Sequence, residues 1–312
     1  MRAVTIREQE LVIEEHPDPV PGKGELLVRV RAAGLNGADM HQRRGLYPAP
    51  PGWPQDIPGM ELAGEVVLLG EGAERFSVGD RVMAIVGGGA QAELVAAHER
   101  LFMPVPESLD WPEAGGLPEA FVTAQDAIVT QAELRPGEHL LVHGGAGGVG
   151  TAAIQLAPAM GARATATVRR EELRAQVAEL GAEAIAPEGF AEHGPFDVIL
   201  ELVGAGNLQE DIYSLATGGR LAVIGVGAGA KGELNLLALM GKRARIFGST
   251  MRSRPLEEKA LMVRRLEREV LPLFDAGQLR VPVAATFALE EASAAYERFE
   301  AGAKLGKIVL VV

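Results

Sequence analysis

Cysteine is absent from this chain of 312 residues. The protein therefore cannot form a disulfide, use a thiolate nucleophile or bind zinc through cysteine. Long hydrophobic runs are absent too, because no segment reaches the roughly 18 unbroken apolar residues that a membrane-spanning helix needs. The first residues, MRAVTIREQELVIEE, are charged and alternate as in a strand, unlike a targeting peptide. We therefore expect a cytoplasmic protein that does not associate with membranes.

Positive charge is scarce, since 30 Lys and Arg stand against 42 Asp and Glu and the formal net charge is -12. Affinity for phosphate backbones comes mostly from clustered basic residues, so the sequence predicts no nucleic-acid partner. The chain is longer than the roughly 250 to 300 residues at which single hydrophobic cores stop growing. Its length therefore favours two domains, and the 47% of hydrophobic residues is enough to give each a packed core.

The pattern of segments changes about a third of the way along the chain. Before that point, strand-like runs such as LLVRVRAAGL and ELAGEVVLLG are separated by connections rich in Gly and Pro, which predicts an irregular β-rich domain. From about Ala120, apolar strands, glycine turns and helices alternate, which predicts a doubly wound parallel sheet of the α/β class. The last strand-like run, GKIVLVV, is expected to return to the first domain. The predicted domains are 1–119 with 252–312, and 120–251.

A glycine-rich turn follows the first strand of the α/β region, in the sequence LLVHGGAGGVGTAAIQLA. Gly145, Gly147 and Gly150 match the G-x-G-x-x-G spacing between a strand and a helix, which predicts a dinucleotide site. In such a turn the first glycine permits the tight turn, the second admits the pyrophosphate, and the third lets helix and strand pack closely. The predicted cofactor contacts are Gly145, Ala146, Gly147, Gly148, Val149 and Gly150. The alternative is a plain tight turn; Pro158 is expected to kink or end the helix that follows.

The end of the second strand of this region favours NADP(H) over NAD(H). An NAD site usually carries Asp or Glu about 20 residues beyond the first glycines, where the carboxylate binds the ribose 2′-hydroxyl. Here the sequence TATVRR has no carboxylate, and Thr167 is followed closely by Arg169 and Arg170, which suit a 2′-phosphate. The alternative is that these arginines begin a solvated helix, with Glu171 and Glu172 partly cancelling their charge.

Several motifs in a characteristic order carry a resemblance to a known family. They are LNGADMHQRRGLYPAPPG from Leu35, GMELAGEV from Gly59, PEAFVTAQDAI from Pro118, HGGAGGVGTAAIQLA from His143, GSTMRSR from Gly248 and GKIVLVV from Gly306. Together they resemble the zinc-free quinone oxidoreductases of the medium-chain dehydrogenase/reductase superfamily. The resemblance implies a Rossmann-type domain that binds NADPH and a GroES-like, β-rich catalytic domain built from both chain ends.

The resemblance also implies that the protein has no metal site. The related zinc alcohol dehydrogenases have a Cys and a His where this chain has Asn36 and Met60. His41, Asp39 and Glu61 do not make up a convincing alternative ligand set. We therefore expect hydride transfer without zinc.

Further site residues are implied by the resemblance. Asn36 and Tyr47 are expected to be catalytic and to lie beside the nicotinamide, with Tyr47 the candidate for a hydrogen bond to the substrate oxygen. The other implied cofactor contacts are Thr123, Ser249, Thr250, Met251 and Lys304. The alternatives are a turn residue for Asn36, a packed loop aromatic for Tyr47 and a solvated surface lysine for Lys304. Some relatives have a tyrosine near Ala186 and Pro187 that holds the 2′-phosphate, so the preference for NADPH is expected to be looser here.

Three functions fit this sequence. The first is NADPH-dependent reduction of a quinone, because the cofactor supplies the chemistry and the site needs neither metal nor cysteine. The second is reduction of the double bond of an enone or enal at the same site, and the third is a structural or sensing protein that binds NADPH with little turnover. The segment from GGRLAVIGV to KRARIF predicts an exposed edge strand. Because bare edges favour pairing, we expect a homodimer or, alternatively, a tetramer.

Overall fold

A computed structural model describes all residues from Met1 to Val312 and divides them into two compact units. The first unit comprises Met1–Val122, Met251–Gly302 and Lys307–Val312. The second unit comprises Thr123–Thr250 and Ala303–Gly306. No helix in the structure combines the length and the apolar character needed to cross a membrane.

The chain contains both strands and helices in each unit. The strands are β1 (Arg2–Arg7), β2 (Glu10–Glu15), β3 (Glu25–Gly34), β4 (Glu61–Leu69), β5 (Arg81–Ile85), β6 (Leu94–His98), β7 (Phe102–Pro104), β8 (His139–His143), β9 (Arg163–Thr167), β10 (Ala182–Ile185), β11 (Phe196–Glu201), β12 (Leu215–Val223), β13 (Arg245–Gly248), β14 (Val283–Ala288) and β15 (Lys307–Val311). The helices are α1 (Gly37–Arg43), α2 (Trp111–Gly116), α3 (Pro118–Gln125), α4 (Gly148–Ala159), α5 (Arg174–Ala178), α6 (Leu208–Ser214), α7 (Leu236–Lys242), α8 (Leu256–Glu269), α9 (Leu271–Asp275) and α10 (Ala292–Glu300). A π-helical turn, Asp126–Gln131, directly follows α3.

The first unit is built on a seven-stranded sheet in the order β14-β15-β3-β4-β5-β7, with β6 also paired to β3. Its pairs are antiparallel except for β14 and β15, and β1 and β2 form a separate antiparallel pair. Alternate residues of β3, including Leu26, Val28 and Val30, are buried in one core cluster with Leu62 of β4. This unit confirms the predicted β-rich, GroES-like domain, and the two strand-like runs of the early sequence form β3 and β4.

The second unit is built on a six-stranded parallel sheet in the order β10-β9-β8-β11-β12-β13. Numbered within the unit, this order is 3-2-1-4-5-6, the arrangement of a doubly wound dinucleotide-binding fold. All five residues of β8 are buried, as expected for a strand with helices on both faces of its sheet. The predicted Rossmann-type α/β domain is therefore confirmed.

Two other expectations concern single elements. The last strand, β15, pairs antiparallel with β3, so the chain end belongs to the first unit as predicted. Helix α4 ends at Ala159, directly after Pro158, and Gly161 follows with a φ of 78°. Pro158 thus lies inside the last turn of α4, and the helix ends one residue beyond it, before the left-handed Gly161.

Candidate active site

The glycine turn joins β8 to α4 in the second unit. Gly144 has a φ of 78°, in the left-handed region that favours glycine, and its carbonyl accepts a hydrogen bond from Gly147 N at 3.1 Å. Gly147 is the N-cap of α4, which begins at Gly148. The tight turn therefore also requires Gly144, which lies outside the spacing motif and was not among the predicted residues. The double glycine after His143 is the local signal that could have identified it.

The three glycines of the spacing motif differ in the space around them. A Cβ on Gly145 would lie 2.6 Å from Ala166 Cβ of β9, and one on Gly150 would overlap Gly144 O. A Cβ on Gly147 would meet only Gly144 O, at 3.5 Å. Gly145 and Gly150 are thus required for packing within the protein, whereas the space beside Gly147 is open to a ligand.

A chain of buried hydrogen bonds lies beneath the turn. Thr167 Oγ1 accepts from Gly144 N at 3.3 Å and lies 3.1 Å from His143 Nδ1, while His143 Nε2 lies 2.8 Å from Asp211 Oδ1. All three side chains are buried, and burial raises the pKa of Asp211. The Thr167 hydroxyl therefore supports the turn from below, which is a structural contribution to the predicted cofactor site.

The carboxylate of Glu201 completes a buried group of three with His143 and Asp211, whose ligand atoms all lie within 4.8 Å of one another. Its carboxylate accepts hydrogen bonds from Gly204 N at 2.8 Å and from Asn207 Nδ2 at 2.9 Å. Internal donors therefore already engage the Glu201 carboxylate, and these hydrogen bonds fix the loop that follows β11.

The short returning segment of the second unit lies against the glycine turn. Gly306 forms a parallel bridge with Gly147, and Gly306 N donates to Ala146 O at 2.8 Å. The Lys304 ammonium donates to Gly306 O at 2.9 Å. The structure thus brings the segment that carries Lys304 to the predicted pyrophosphate site.

Two exposed arginines follow β9, at the predicted site of the 2′-phosphate. Neither Arg169 nor Arg170 forms an ion pair in the structure, although Glu171 and Glu172 begin the 3-10 helix that comes next. The neighbouring Arg174 instead donates from Nε to Val168 O at 3.1 Å. Direct ion pairing with the adjacent glutamates therefore does not cancel the charge of the two exposed arginines.

The remaining predicted contacts lie at or close to the positions in the sequence where the chain passes from one unit to the other. Ser249 follows β13, its N donates to Val223 O at 3.2 Å, and its hydroxyl accepts from Gln131 Nε2 at 3.0 Å. Thr250 is the last residue of the long segment of the second unit, and Met251 is buried in the first unit. Thr123 is buried within α3.

Asn36 is held by a buried ionic cluster in the first unit. Its Nδ2 donates to Glu61 Oε1 at 2.9 Å, and its Oδ1 accepts from the Lys307 ammonium at 2.7 Å. Lys307 and Glu61 form an ion pair of 2.6 Å, and the second Glu61 oxygen accepts from Glu119 N at 2.8 Å. A Cβ on Gly34 would overlap Glu61 Oε1, so this glycine makes room for the carboxylate.

Lys307 was not among the site residues predicted from the sequence, and Glu61 was considered only as a metal ligand. Lysine is almost never fully buried unless it is paired, and Lys307 begins the otherwise apolar strand β15, so its place in GKIVLVV was an available signal. The amide of Asn36 has a fixed orientation because each of its ends has a charged partner. Asn36 is therefore more than a turn residue.

Two further carboxyls of the first unit have raised pKa values. Burial raises the pKa of Asp39 to about 6, against the hydrogen bond that its Oδ2 accepts from Asn36 N at 2.8 Å. Burial, reinforced by the negative charge of Glu61, raises the pKa of Glu119 to about 7. Tyr47 is half-buried, and burial raises the pKa of its phenol, with Arg252 partly offsetting that effect. The Tyr47 phenol is thus a neutral hydrogen-bond donor near neutral pH.

Comparisons with known proteins agree with this architecture. The family model described as alcohol dehydrogenase GroES-like domain matches residues 22–107, and the model described as zinc-binding dehydrogenase matches residues 148–268. The quinone oxidoreductase of Rattus norvegicus is 31% identical over 94% of this chain and 91% of its own length. The acryloyl-coenzyme A reductase of Metallosphaera sedula is 30% identical over 99% of each chain.

A solved structure shows the same similarity in three dimensions. An alcohol dehydrogenase superfamily protein from Novosphingobium aromaticivorans aligns with a TM-score of 0.88 and 30% identity, over 100% of this chain and 99% of its own. The fold and the glycine turn thus define a pyridine-nucleotide-dependent oxidoreductase of the medium-chain dehydrogenase/reductase superfamily. Within that superfamily, the chain belongs to the quinone oxidoreductase family.

Proposed function

We propose that this protein reduces quinones by zinc-independent hydride transfer from NADPH. The observation that carries the proposal is the cluster of Asn36, Glu61 and Lys307, in which Asn36 stands where the resemblance places a zinc ligand of the alcohol dehydrogenases. A catalytic zinc needs nitrogen, sulfur or oxygen ligands around an open position. Here Asn36 and Met60 replace two such ligands, and the Lys307 ammonium lies 2.6 Å from Glu61 and 2.7 Å from Asn36. These residues do not fit a zinc ion.

Several features of the second unit support NADPH as the cofactor. The open space beside Gly147 and the amino terminus of α4 suit the pyrophosphate, and the unpaired Arg169 and Arg170 suit the 2′-phosphate. Lys304 lies in the segment that pairs with the turn. When bound, NADPH supplies the hydride. The segment TATVRR at the end of β9 has no carboxylate to bind a ribose 2′-hydroxyl, which also supports NADPH over NADH.

In the first unit, two predicted catalytic residues have distinct tasks. Asn36, with both ends of its amide held, provides a rigid polar group for the nicotinamide end of the cofactor. The Tyr47 phenol donates a hydrogen bond to the quinone oxygen on which negative charge develops after hydride addition. The resulting stabilised oxyanion takes its proton from water, so no metal-bound oxygen is needed.

A steady-state assay of quinones and enones, with NADPH and with NADH, tests the proposal. We expect quinone reduction with a higher kcat/KM for NADPH. The Arg169→Ala/Arg170→Ala variant should lose on the order of ten- to a hundredfold in kcat/KM for NADPH and change little with NADH, because charge-assisted hydrogen bonds to the 2′-phosphate disappear. Arg163→Ala, at the opposite end of β9, is the matched control and should behave as the wild type.

Three outcomes would contradict the proposal in different ways. A preference for NADH, or an equal loss with both coenzymes in the double variant, would overturn the coenzyme assignment. Reduction of enones but not quinones would replace the acceptor, in line with the acryloyl-coenzyme A reductase among the relatives. Tight NADPH binding with no acceptor reduced would favour a structural or sensing protein.

A further inference from the structure

Two cationic side chains of the first unit are buried without an ion pair. Arg252 is 3% exposed and Lys259 is 4% exposed. The oxygens that Arg252 reaches are all neutral, and the Lys259 ammonium donates to the carbonyl of Arg252 itself at 2.6 Å. Burial lowers the pKa of both groups. The negative charges of Asp39 and Glu119 attract the Arg252 guanidinium, and Glu119 also attracts Lys259, but no direct ion pair forms, so the cost of burial is only partly offset.

The Arg252 guanidinium joins three separate segments of the first unit. Its Nε donates to Gly87 O at 2.7 Å, in the loop after β5. Its Nη1 donates to Tyr47 O at 2.9 Å, and its Nη2 donates to Gln42 Oε1 of α1 at 2.6 Å. A planar guanidinium with several donors in fixed directions can make such a junction, whereas a lysine ammonium cannot reach all three acceptors at once.

The residues that follow Tyr47 are fixed by the same junction. Gln42, oriented by Arg252, donates from Nε2 to Gln55 O at 3.0 Å, and Gln55 Nε2 donates to Trp53 O at 2.9 Å. A Cβ on Gly87 would overlap the Trp53 ring. The loop from Tyr47 to Gln55 thus packs through Trp53 on Gly87, and the hydrogen bonds of Arg252 hold it in place.

We propose that Arg252 is a positioning residue for Tyr47 in the reduction of the acceptor. This inference rests on the proposed function for its catalytic consequence. Arg252 fixes the main chain of Tyr47 by a direct hydrogen bond, and its guanidinium carbon lies 5.4 Å from the centre of the Tyr47 ring. The nearby positive charge also strengthens the phenol as a donor to a developing oxyanion. Lys259 supports the junction through the Arg252 carbonyl.

A double-mutant cycle between Arg252 and Tyr47 tests this inference. Arg252→Met should lower kcat/KM for the quinone by up to about a hundredfold, because a displaced catalytic group loses its alignment. Tyr47→Phe should lower it on the order of a hundredfold through loss of the phenolic donor. If Arg252 acts through Tyr47, adding Arg252→Met to Tyr47→Phe should reduce activity by less than about threefold further. NADPH affinity, measured by fluorescence titration, should be the same in Tyr47→Phe and in the double variant, because Tyr47 is also a predicted cofactor contact and Arg252 acts through it.

Two further variants separate positioning from folding. Arg252→Lys keeps the charge but loses the fork, so it should fold and recover part of the activity that Arg252→Met loses. If Arg252→Met does not fold, the cycle is run with Arg252→Lys. Arg254→Met, two residues along in the same segment, is the matched control and should retain wild-type activity. Losses that multiply fully in the cycle would overturn the inference.

Hydrogen exchange gives a readout that does not depend on turnover. Arg252→Met should increase amide exchange in residues 46–56 by about tenfold or more, while Arg254→Met leaves it unchanged. Unchanged exchange in that loop would overturn the positioning role. If the wild type reduces no quinone, the proposed function fails, yet the exchange result still decides whether Arg252 holds the Tyr47 loop.

Discussion

The Lys307 ammonium lies 2.6 Å from Glu61 Oε1, and both side chains are buried in the first unit. Each also contacts the amide of Asn36, so the three side chains form a closed triangle. An ion pair of this kind adds little net stability over a well-packed apolar pair. Its value lies in the fixed orientation that it imposes on Asn36.

Removing one partner of this pair should destabilise the protein strongly. We expect Lys307→Met to lower the free energy of unfolding by about 3–5 kcal/mol, because it leaves the Glu61 carboxylate buried without compensation. The Lys307→Met/Glu61→Gln double variant should recover much of that loss. Urea unfolding measures both, with the exposed Lys231→Met as the control. A double variant no more stable than Lys307→Met would contradict the explanation.

Glu119 should make stability depend on pH. Its pKa is raised to about 7 in the folded state, so the protonated form is favoured by folding and the associated stability is present below its ordinary pKa. That stability is lost as the pH rises from about 4.5 to about 7, a change on the order of 3 kcal/mol.

The Glu119→Gln variant should flatten this part of the profile. The contribution of Asp39, whose pKa is raised to about 6, should remain. Urea unfolding at several pH values between 4.5 and 8 compares wild type, Glu119→Gln and the exposed control Glu188→Gln. Identical slopes for wild type and Glu119→Gln would show that Glu119 is not the group responsible.

Two glycines of the same turn should respond differently to a single methyl group. Gly150→Ala should disrupt the turn and lower the melting temperature, because its Cβ overlaps Gly144 O. Gly147→Ala should leave the melting temperature within about 2 °C of wild type, because only Gly144 O lies within 4 Å of the added Cβ. The same Cβ should weaken NADPH binding about tenfold or more, because it would occupy the space predicted for the pyrophosphate. Calorimetric melting and fluorescence titration give the two quantities. Equal effects in both variants would contradict the distinct roles of these glycines.

The edge of the parallel sheet should form a homodimer contact. Strand β13 is one of the two edge strands of this sheet, and α7, which precedes it in the chain, exposes Leu237 by 78% and Met240 by 70%. An uncovered edge strand beside exposed apolar side chains favours pairing with a second copy. Leu237→Glu/Met240→Glu should therefore yield a monomer in light scattering. Leu261→Glu, at a site on α8 that is 68% exposed, should keep the wild-type mass. A monomeric wild type would refute this expectation.

Local patterns in the sequence were enough to predict the doubly wound α/β sheet of the second unit and the β-rich character of the first, whereas the GroES-like assignment came from the family resemblance. The apolar strands of the second unit are buried on both faces and therefore appear as short continuous runs, and the glycine spacing stands directly between β8 and α4. Pro158 likewise acts on its own helix. Each of these signals involves neighbours in the chain, so no knowledge of distant contacts was required.

The parts of the site that were missed depend on distant contacts. Lys307 meets Asn36 across 271 residues, and Arg252 meets Tyr47 across 205. A single sequence shows that a charged residue lies in an apolar strand or a loop, but not which partner it meets. Gly144 was missed for a different reason, because backbone torsion angles select between adjacent glycines only after the chain is folded.

The pairing of β15 with β3 also has a consequence for synthesis of the protein. All six strands of the second unit lie within one continuous stretch of chain, from His139 to Gly248, so that sheet can assemble before translation ends. In contrast, β3 emerges early and receives β15 only after the strands of the second unit have been made. Until then, the end of β3 from Ala32 to Gly34 lacks its β15 partner, whereas β6 already pairs with Glu25–Arg29. That short end of β3 is therefore open to wrong pairing until β15 is in place, and loss of β15 would make the vulnerability permanent.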